Sequence, residues 1–214
     1  MKKLFAFLLI AALIAALTGC RPAAPADTTP STQPSTAPTD TPTQGTTETP
    51  SQGTASAETD SAKILANIWQ AYAENERFAV YGGAVENSVA DAPGDLDISN
   101  AEELTGRYLL PQEQLSSVKE AASMVHLMNN NIFTAVVFRL SDGAEMQTVA
   151  KALRDNVQGN QWICGQPDKL LVADMKDGHL LMVFGSNDAV NTFKAKLTGV
   201  YADATTLYEE NIVA

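Results

Sequence analysis

From about residue 61 onward the sequence predicts an α+β domain. The sheet is expected to be four-stranded and antiparallel, built from two strand–strand–helix units, with an N-terminal helix added. Three observations lead there. Residues 124–128, 132–140, 170–175 and 179–184 are rich in β-branched, aromatic and other apolar side chains and read as strands. Each strand pair is followed by a stripe of apolar residues at helical spacing. The two units also share a rhythm: Val136-Val137-Phe138 leads to Leu153 as Leu181-Met182-Val183-Phe184 leads to Leu197. Two helices on one face of the four strands is the economical layer arrangement.

The elements follow in order. Ile64, Leu65, Ile68, Trp69 and Tyr72 form one stripe of a helix over residues 61–75, and Asp60 or Ser61 caps its start. Residues 78–81 are a short strand candidate ended by Gly82-Gly83. Residues 84–98 look irregular, with Pro93-Gly94 marking a turn. Ser99 with Glu102 fits a capping box for a short helix that stops near Gly106, and Pro111 starts another brief turn. Asn129-Asn130-Asn131 turns the chain between the first two strands of the sheet. Asp142 caps a helix with Met146, Val149, Ala150, Leu153 and Val157 on one face, and Gly159 ends it. Ser186 caps a last helix whose Val190, Phe193, Leu197 and Tyr201 face inward. No element is predicted from Ala202 on.

Asp177-Gly178 suits a type I′ hairpin turn, whose two central residues need positive φ. In that register Lys176 opposes His179, Met175 opposes Leu180, Ala173 opposes Met182 and Leu171 opposes Phe184. The last three pairs make a wholly apolar core face. The other face then holds Lys176, Asp174, His179, Val172, Leu181 and Val183. Its aliphatic half calls for a cover, supplied by the first helix, a partner or a second copy.

The chain before this domain has a different character. Met1-Lys2-Lys3 is a short basic start, residues 4–16 are an unbroken apolar run, and Leu17-Thr18-Gly19-Cys20 closes it with small residues. That is the layout of a secretory signal, and the run is shorter than the ~20 residues that span a bilayer. Leu17-Thr18-Gly19-Cys20 resembles the lipobox of bacterial lipoproteins. The resemblance implies cleavage after residue 19 and a mature protein that begins with lipidated Cys20, each buried acyl methylene contributing about 0.8 kcal/mol to anchoring. Residues 21–60 contain no Ile, Leu, Val, Met or aromatic residue and are dominated by Thr, Pro, Ser, Ala and Gln. Such a segment cannot bury enough apolar surface to offset the entropy of ordering. A disordered tether is expected over residues 20–60, averaging roughly 35 Å end to end and reaching roughly 120 Å when extended.

The formal charge of −11 argues against nucleic-acid binding, because a net negative surface is repelled by phosphate. There are two cysteines. With Cys20 lipidated, Cys164 has no disulfide partner, and paired-cysteine metal sites are ruled out. Cys164 lies in Gln161-Trp162-Ile163-Cys164-Gly165 and is expected to be a buried, inert side chain. As a nucleophile it would need a base, and His126 is the credible candidate, since His179 is expected beside a hairpin turn in solvent. Asp91, Asp95, Asp97, Asn100, Glu102 and Glu103 form an acidic cluster that starts like a calcium loop. It lacks glycine at the sixth position and has Gly106 where the twelfth needs glutamate. Gly82-Gly83 does not open directly into a helix, as a phosphate-cradling loop would. Trp69 and Trp162 are assigned to the core or its rim. No catalytic residue, cofactor or metal is predicted.

Phe78-x-Val80-Tyr81-Gly82-Gly83, the asparagine-rich turn, Gln161-Trp162-Ile163-Cys164-Gly165 and the closing strand–helix unit resemble small uncharacterised lipoproteins of clostridia. Some of these are labelled bacteriocin transport accessory proteins. The similarity spans about residues 64–210 and carries no assigned chemistry. Taken together, the sequence points to a non-enzymatic lipoprotein, lipid-anchored at the extracytoplasmic face of the cell membrane. It would act as a binding or interaction module for an envelope protein or peptide. The alternative is a cell-envelope enzyme or thiol protein acting through Cys164.

Overall fold

A computed structural model describes residues 59–213. The signal, Cys20 and the tether up to residue 58 lie outside the described residues. The fold begins with α1 (Asp60–Gln70), capped by Thr59, whose hydroxyl accepts the Ala62 amide at 3.2 Å. Thr59 takes the role expected of Asp60 or Ser61 because its side chain is fixed from outside: it donates to Asp95 at 2.5 Å. Ser61 is fully buried, and its amide is held by the Glu120 carboxylate at 2.8 Å. Three short strands follow: β1 (Val80–Gly82), β2 (Val89–Ala90) and β3 (Gly94–Asp95). Next comes α2 (Ala101–Gly106), where Asn100 accepts the Glu103 amide at 3.1 Å, one residue later than the predicted capping box. The remaining elements are β4 (Val118–His126), β5 (Phe133–Leu140), α3 (Met146–Gln158), β6 (Lys169–Lys176), β7 (His179–Gly185), α4 (Asn187–Val200) and β8 (Thr205–Asn211).

The sheet has eight antiparallel strands in the order β2-β1-β4-β5-β7-β6-β8, with β3 pairing β4 beside β1. The α+β class stands, but the four-stranded sheet does not. The four expected strands fall on β4 to β7, with β4 starting at Val118 rather than 124; the short candidate at 78–81 joins the sheet as β1, and β2, β3 and β8 are added beyond the expectation. β1, β2 and β3 are two or three residues long, too short to display an alternation. β8 alternates only weakly, with Leu207 and Tyr208 both partly buried.

Nor do the helices share one face. α1 and α4 cover one side, burying Leu65, Ile68, Phe193 and Leu197 against Val137, Leu181 and Val183. α2 and α3 cover the other, burying Leu104, Val149, Leu153 and Val157 with Phe138, Leu180, Met182 and Phe184. The middle strands are therefore buried on both faces. That is why 133–138 and 179–185 are continuously buried rather than alternating.

The hairpin register is corrected as well. Asp177 and Gly178 do occupy the turn with φ of 49° and 78°, and Lys176 does face His179. A bulge between Asp174 and Lys176 then shifts the pairing, so Asp174 opposes Leu180, Ala173 opposes Leu181 and Leu171 opposes Val183. One extra residue flips all of β6 below it. Leu171, Ala173 and Met175 thus join Leu181 and Val183 beneath α1 and α4, while Val172 joins Met182 on the opposite face. His179 is buried, 6% exposed, rather than solvated, because that end of β7 lies between β5 and β6.

Gly82 has a packing reason. β1 and β3 share one edge of β4, and a Cβ at Gly82 would stand 2.3 Å from the Gly94 amide nitrogen and 2.4 Å from the Ser123 carbonyl oxygen. Ser123, buried at the same junction, accepts the Gly83 amide at 3.2 Å and bonds the Tyr108 hydroxyl at 3.0 Å.

Candidate ligand-binding site

The residues singled out from the sequence do not assemble into one reacting centre. Cys20 lies outside the described residues. Cys164 is exposed, not buried. Its loop is pinned by backbone: Asn131 donates its side-chain amide to the carbonyls of Ile163 at 2.9 Å and Gly165 at 2.5 Å. Cys164 itself takes a left-handed φ of 63°. Of its apolar neighbours, Trp162 packs on Phe184 at 5.2 Å while Ile163 is 81% exposed, so apolar sequence context did not translate into burial. His126 ends β4, stacks on Phe78 at 5.5 Å, and accepts the Met128 and Asn129 amides on Nδ1 at 3.2 and 3.3 Å. That nitrogen is engaged with the loop and is not free as a base toward a thiol.

The acidic cluster is dispersed over local tasks. Asp95 accepts the Thr59 hydroxyl, and Asp97 accepts the Ser99 amide at 2.9 Å. The Ser99 hydroxyl and amide hold the Asp97 carboxyl below its usual range. Glu103 accepts the Val85 amide at 3.1 Å. Among the described residues no group of three or more His, Cys, Asp or Glu is placed to hold a metal ion.

What the structure gathers instead is an apolar end. The last residues of β4, the first of β5, the last of β7 and the start of α4 meet there. Leu127, Met128, Ile132 and Ile163 are exposed on its loops, Met128 by 81%. Two pockets flank β4 at this end.

The first pocket, about 280 Å³, lies on the α1/α4 side and is lined by Tyr72, Phe78, His126, Ile132, Asp188 and Thr192 among others. Its aromatic residues Tyr72 and Phe78 are 6.5 Å apart, and Phe78 is backed by the buried Phe133 at 5.2 Å. The buried Tyr72 hydroxyl has no hydrogen-bond partner among the described residues. Burial pushes its pKa up, and the nearby Glu76 charge adds to that. Glu76 is bridged to Lys196 at 2.6 Å, and the lysine together with the Ala73 amide holds the Glu76 carboxyl below its ordinary range.

The second pocket, about 330 Å³, lies at the sheet edge and is lined by Tyr81, Val85, Ser88, Ala90, Arg107 and Leu127. The Arg107 guanidinium sits 5.1 Å from the Tyr81 ring centre and donates to the Tyr81 hydroxyl, which donates in turn to Asn130 at 3.1 Å.

A broader groove of about 980 Å³ runs between Pro111 and α3 on the far side. Within it Lys151 pairs with Asp155, and Asn156 donates to the Leu109 carbonyl at 2.8 Å. The apolar end was not legible in the sequence, because Leu127, Met128, Ile132 and Ile163 look like core residues until the turns expose them.

No family model, no curated protein and no solved structure matches the chain.

Proposed function

We propose that this chain is a lipid-anchored extracytoplasmic lipoprotein that acts as a binding module, engaging an envelope protein or peptide through the Leu127–Ile132 end of its domain. The observation that carries the binding reading is the convergence of four exposed large apolar side chains and two pockets on one end of the sheet. Exposed apolar surface of this kind costs solubility unless something covers it in use. The lipid anchor rests on the Leu17-Thr18-Gly19-Cys20 sequence and the basic-apolar run before it. The chain enters the fold beside Glu120 and Asp95, and the apolar end lies beyond His126, six strand residues or about 20 Å away.

Cys20→Ala should abolish metabolic incorporation of fatty acid; labelling that survives the substitution removes the anchor. For the binding reading, a photo-crosslinking residue at Met128 or Ile163 in intact cells should give one discrete adduct. The same residue at Gln147, on the polar groove, should give none. Equal capture at all three positions, or none at any, would remove the apolar end as the working surface.

A further inference from the structure

Resting on that binding reading, we infer that the Arg107 pocket captures the free C-terminal carboxylate of a peptide whose last residue is apolar, the peptide lying along the open edge of β2. The first observation is charge. Of the eleven lysines and arginines between residues 59 and 213, nine have a carboxylate within 4 Å; Arg77 and Arg107 have none among the described residues. Arg77 is held otherwise, donating to the Trp69 carbonyl at 3.4 Å and lying over the Trp69 ring.

Arg107 is partly buried and is held by Tyr81 alone, through its ring and hydroxyl, with no carbonyl or carboxylate acceptor among the described residues. Its natural helical partner, Glu103 one turn earlier, instead accepts the Val85 amide at 3.1 Å and the Asn100 side-chain amide at 3.3 Å. The Arg107 Nε–H is buried with no acceptor among the described residues. In a chain of net charge −11, an arginine kept clear of carboxylates in a pocket is a standing demand for an external anion. Tyr81 holds the guanidinium in place through its ring face and its hydroxyl, so the charge is positioned before any ligand arrives.

The second observation is the wall. Val85, Ala90 and Leu127 make most of the pocket's remaining lining, and Val85 and Leu127 are each more than half exposed. A cation beside aliphatic walls selects an apolar carboxylate over phosphate or sulfate. The third is the edge. β2 is the terminal strand on this side of the sheet, both its residues are exposed, and Val89 is 46% exposed. An extended peptide can pair with such an edge while a pocket takes its end group. Exposed Glu86 and Asp91 flank β2 and favour lysine or arginine upstream of the peptide's terminus.

The test uses the purified full chain and a fluorescein-labelled hexapeptide, Lys-Ala-Lys-Ala-Ala-Leu, with either a free C-terminal acid or a C-terminal amide, read by anisotropy. The acid should bind and the amide at least tenfold more weakly. Arg107→Gln should abolish the difference. Because that change also removes a packing partner of Tyr81, Leu127→Asp at an exposed wall position serves as a second variant and should weaken the acid at least tenfold with the melting temperature unchanged. Equal binding of acid and amide, or no binding of either at millimolar peptide, overturns the inference. Octanoate competing as well as the peptide overturns the strand-edge part. A discrete Met128 adduct combined with equal acid and amide binding would leave the binding reading standing and remove this one.

Discussion

The two edges of the sheet are finished in opposite ways. β8 closes one edge with charge. Glu210 is gripped by Arg154 through Nε at 2.5 Å and Nη2 at 2.9 Å, and Gln158 adds a bond at 3.0 Å. Glu209, on the other face, is shared by Lys169 at 2.7 Å and Lys194 at 2.5 Å. Each face of β8 is thereby tied to the helix layer on its own side, α3 or α4, and the strand carries charged side chains of the kind that discourage further pairing. The β2 edge has none of this. It is two residues long, its own Val89 and the neighbouring Val85 and Leu127 stand in water, and beside it is an arginine with no carboxylate within 4 Å among the described residues. Comparing the two shows how differently charge is handled: at the β8 edge it is matched internally, and at the β2 edge an arginine has no carboxylate within 4 Å among the described residues.

The largest expected effect tests whether the open edge is nonetheless rigidly built. Gly82→Val puts side-chain atoms where the Gly94 and Ser123 backbones already stand, and neither can yield without parting β1 or β3 from β4. The domain should lose several kcal/mol, as other forced overpacking does. A melting temperature within two degrees of the parent would mean the β1–β3 edge is adaptable.

Thr59→Ala removes both the α1 cap and the link to Asp95 on β3. About 1 kcal/mol should be lost, measured by urea unfolding. A neutral result would show that α1 is fixed by its apolar stripe alone.

Acid should loosen the closed edge. Hydrogen bonds from Arg154 hold the Glu210 carboxyl below its ordinary value, and Lys169 first and Lys194 second do the same for Glu209. Since each folded pKa lies below its unfolded value of about 4.3, the pairs stabilise the fold above that pH. The contribution is lost as pH falls through the folded values. The melting temperature should therefore drop between about pH 5 and pH 3, and Glu210→Gln should flatten part of that slope. An unchanged slope would mean the β8 pairs add nothing net, as many exposed pairs do.

The smallest effect belongs to the open edge. Val89→Thr keeps β-branching at a position 46% exposed, so stability should stay within about 0.5 kcal/mol. A larger loss in a denaturant titration would mean Val89 is packed against something in solution.

Much of the local structure was legible. α4, β5 to β7 and the Asp177-Gly178 turn lie close to where the residues placed them, because periodic stripes and a positive-φ dipeptide are local signals, whereas β4 begins at Val118 rather than 124, α1 stops at Gln70 rather than 75, and α3 starts at Met146 without an Asp142 cap. The helix stripes were right down to Val149, Leu153, Phe193 and Leu197. The candidate chemistry was less legible. Cys164 was expected inside and is outside; His179 was expected outside and is inside. Arg107, Tyr81 and Leu127 carried no sequence signal as a group, since they come from a helix end, a three-residue strand and a turn.

The sequence by itself determined the types of the longer elements from α1 to α4, the helix faces, the acidic charge and the contrast between an apolar-poor segment and a core-forming one. These follow from side-chain spacing and composition, which act over a few residues. Only the tertiary structure decided the eight-stranded sheet, its burial on both faces, the bulge that flips β6, and the meeting of Arg107 with Tyr81 and Leu127. Each depends on contacts between segments far apart in the chain. A two-residue strand has no periodicity to read, and a bulge is set by how a strand must bend between its neighbours. Which apolar residues stay in water is settled only when every helix has chosen the face it covers.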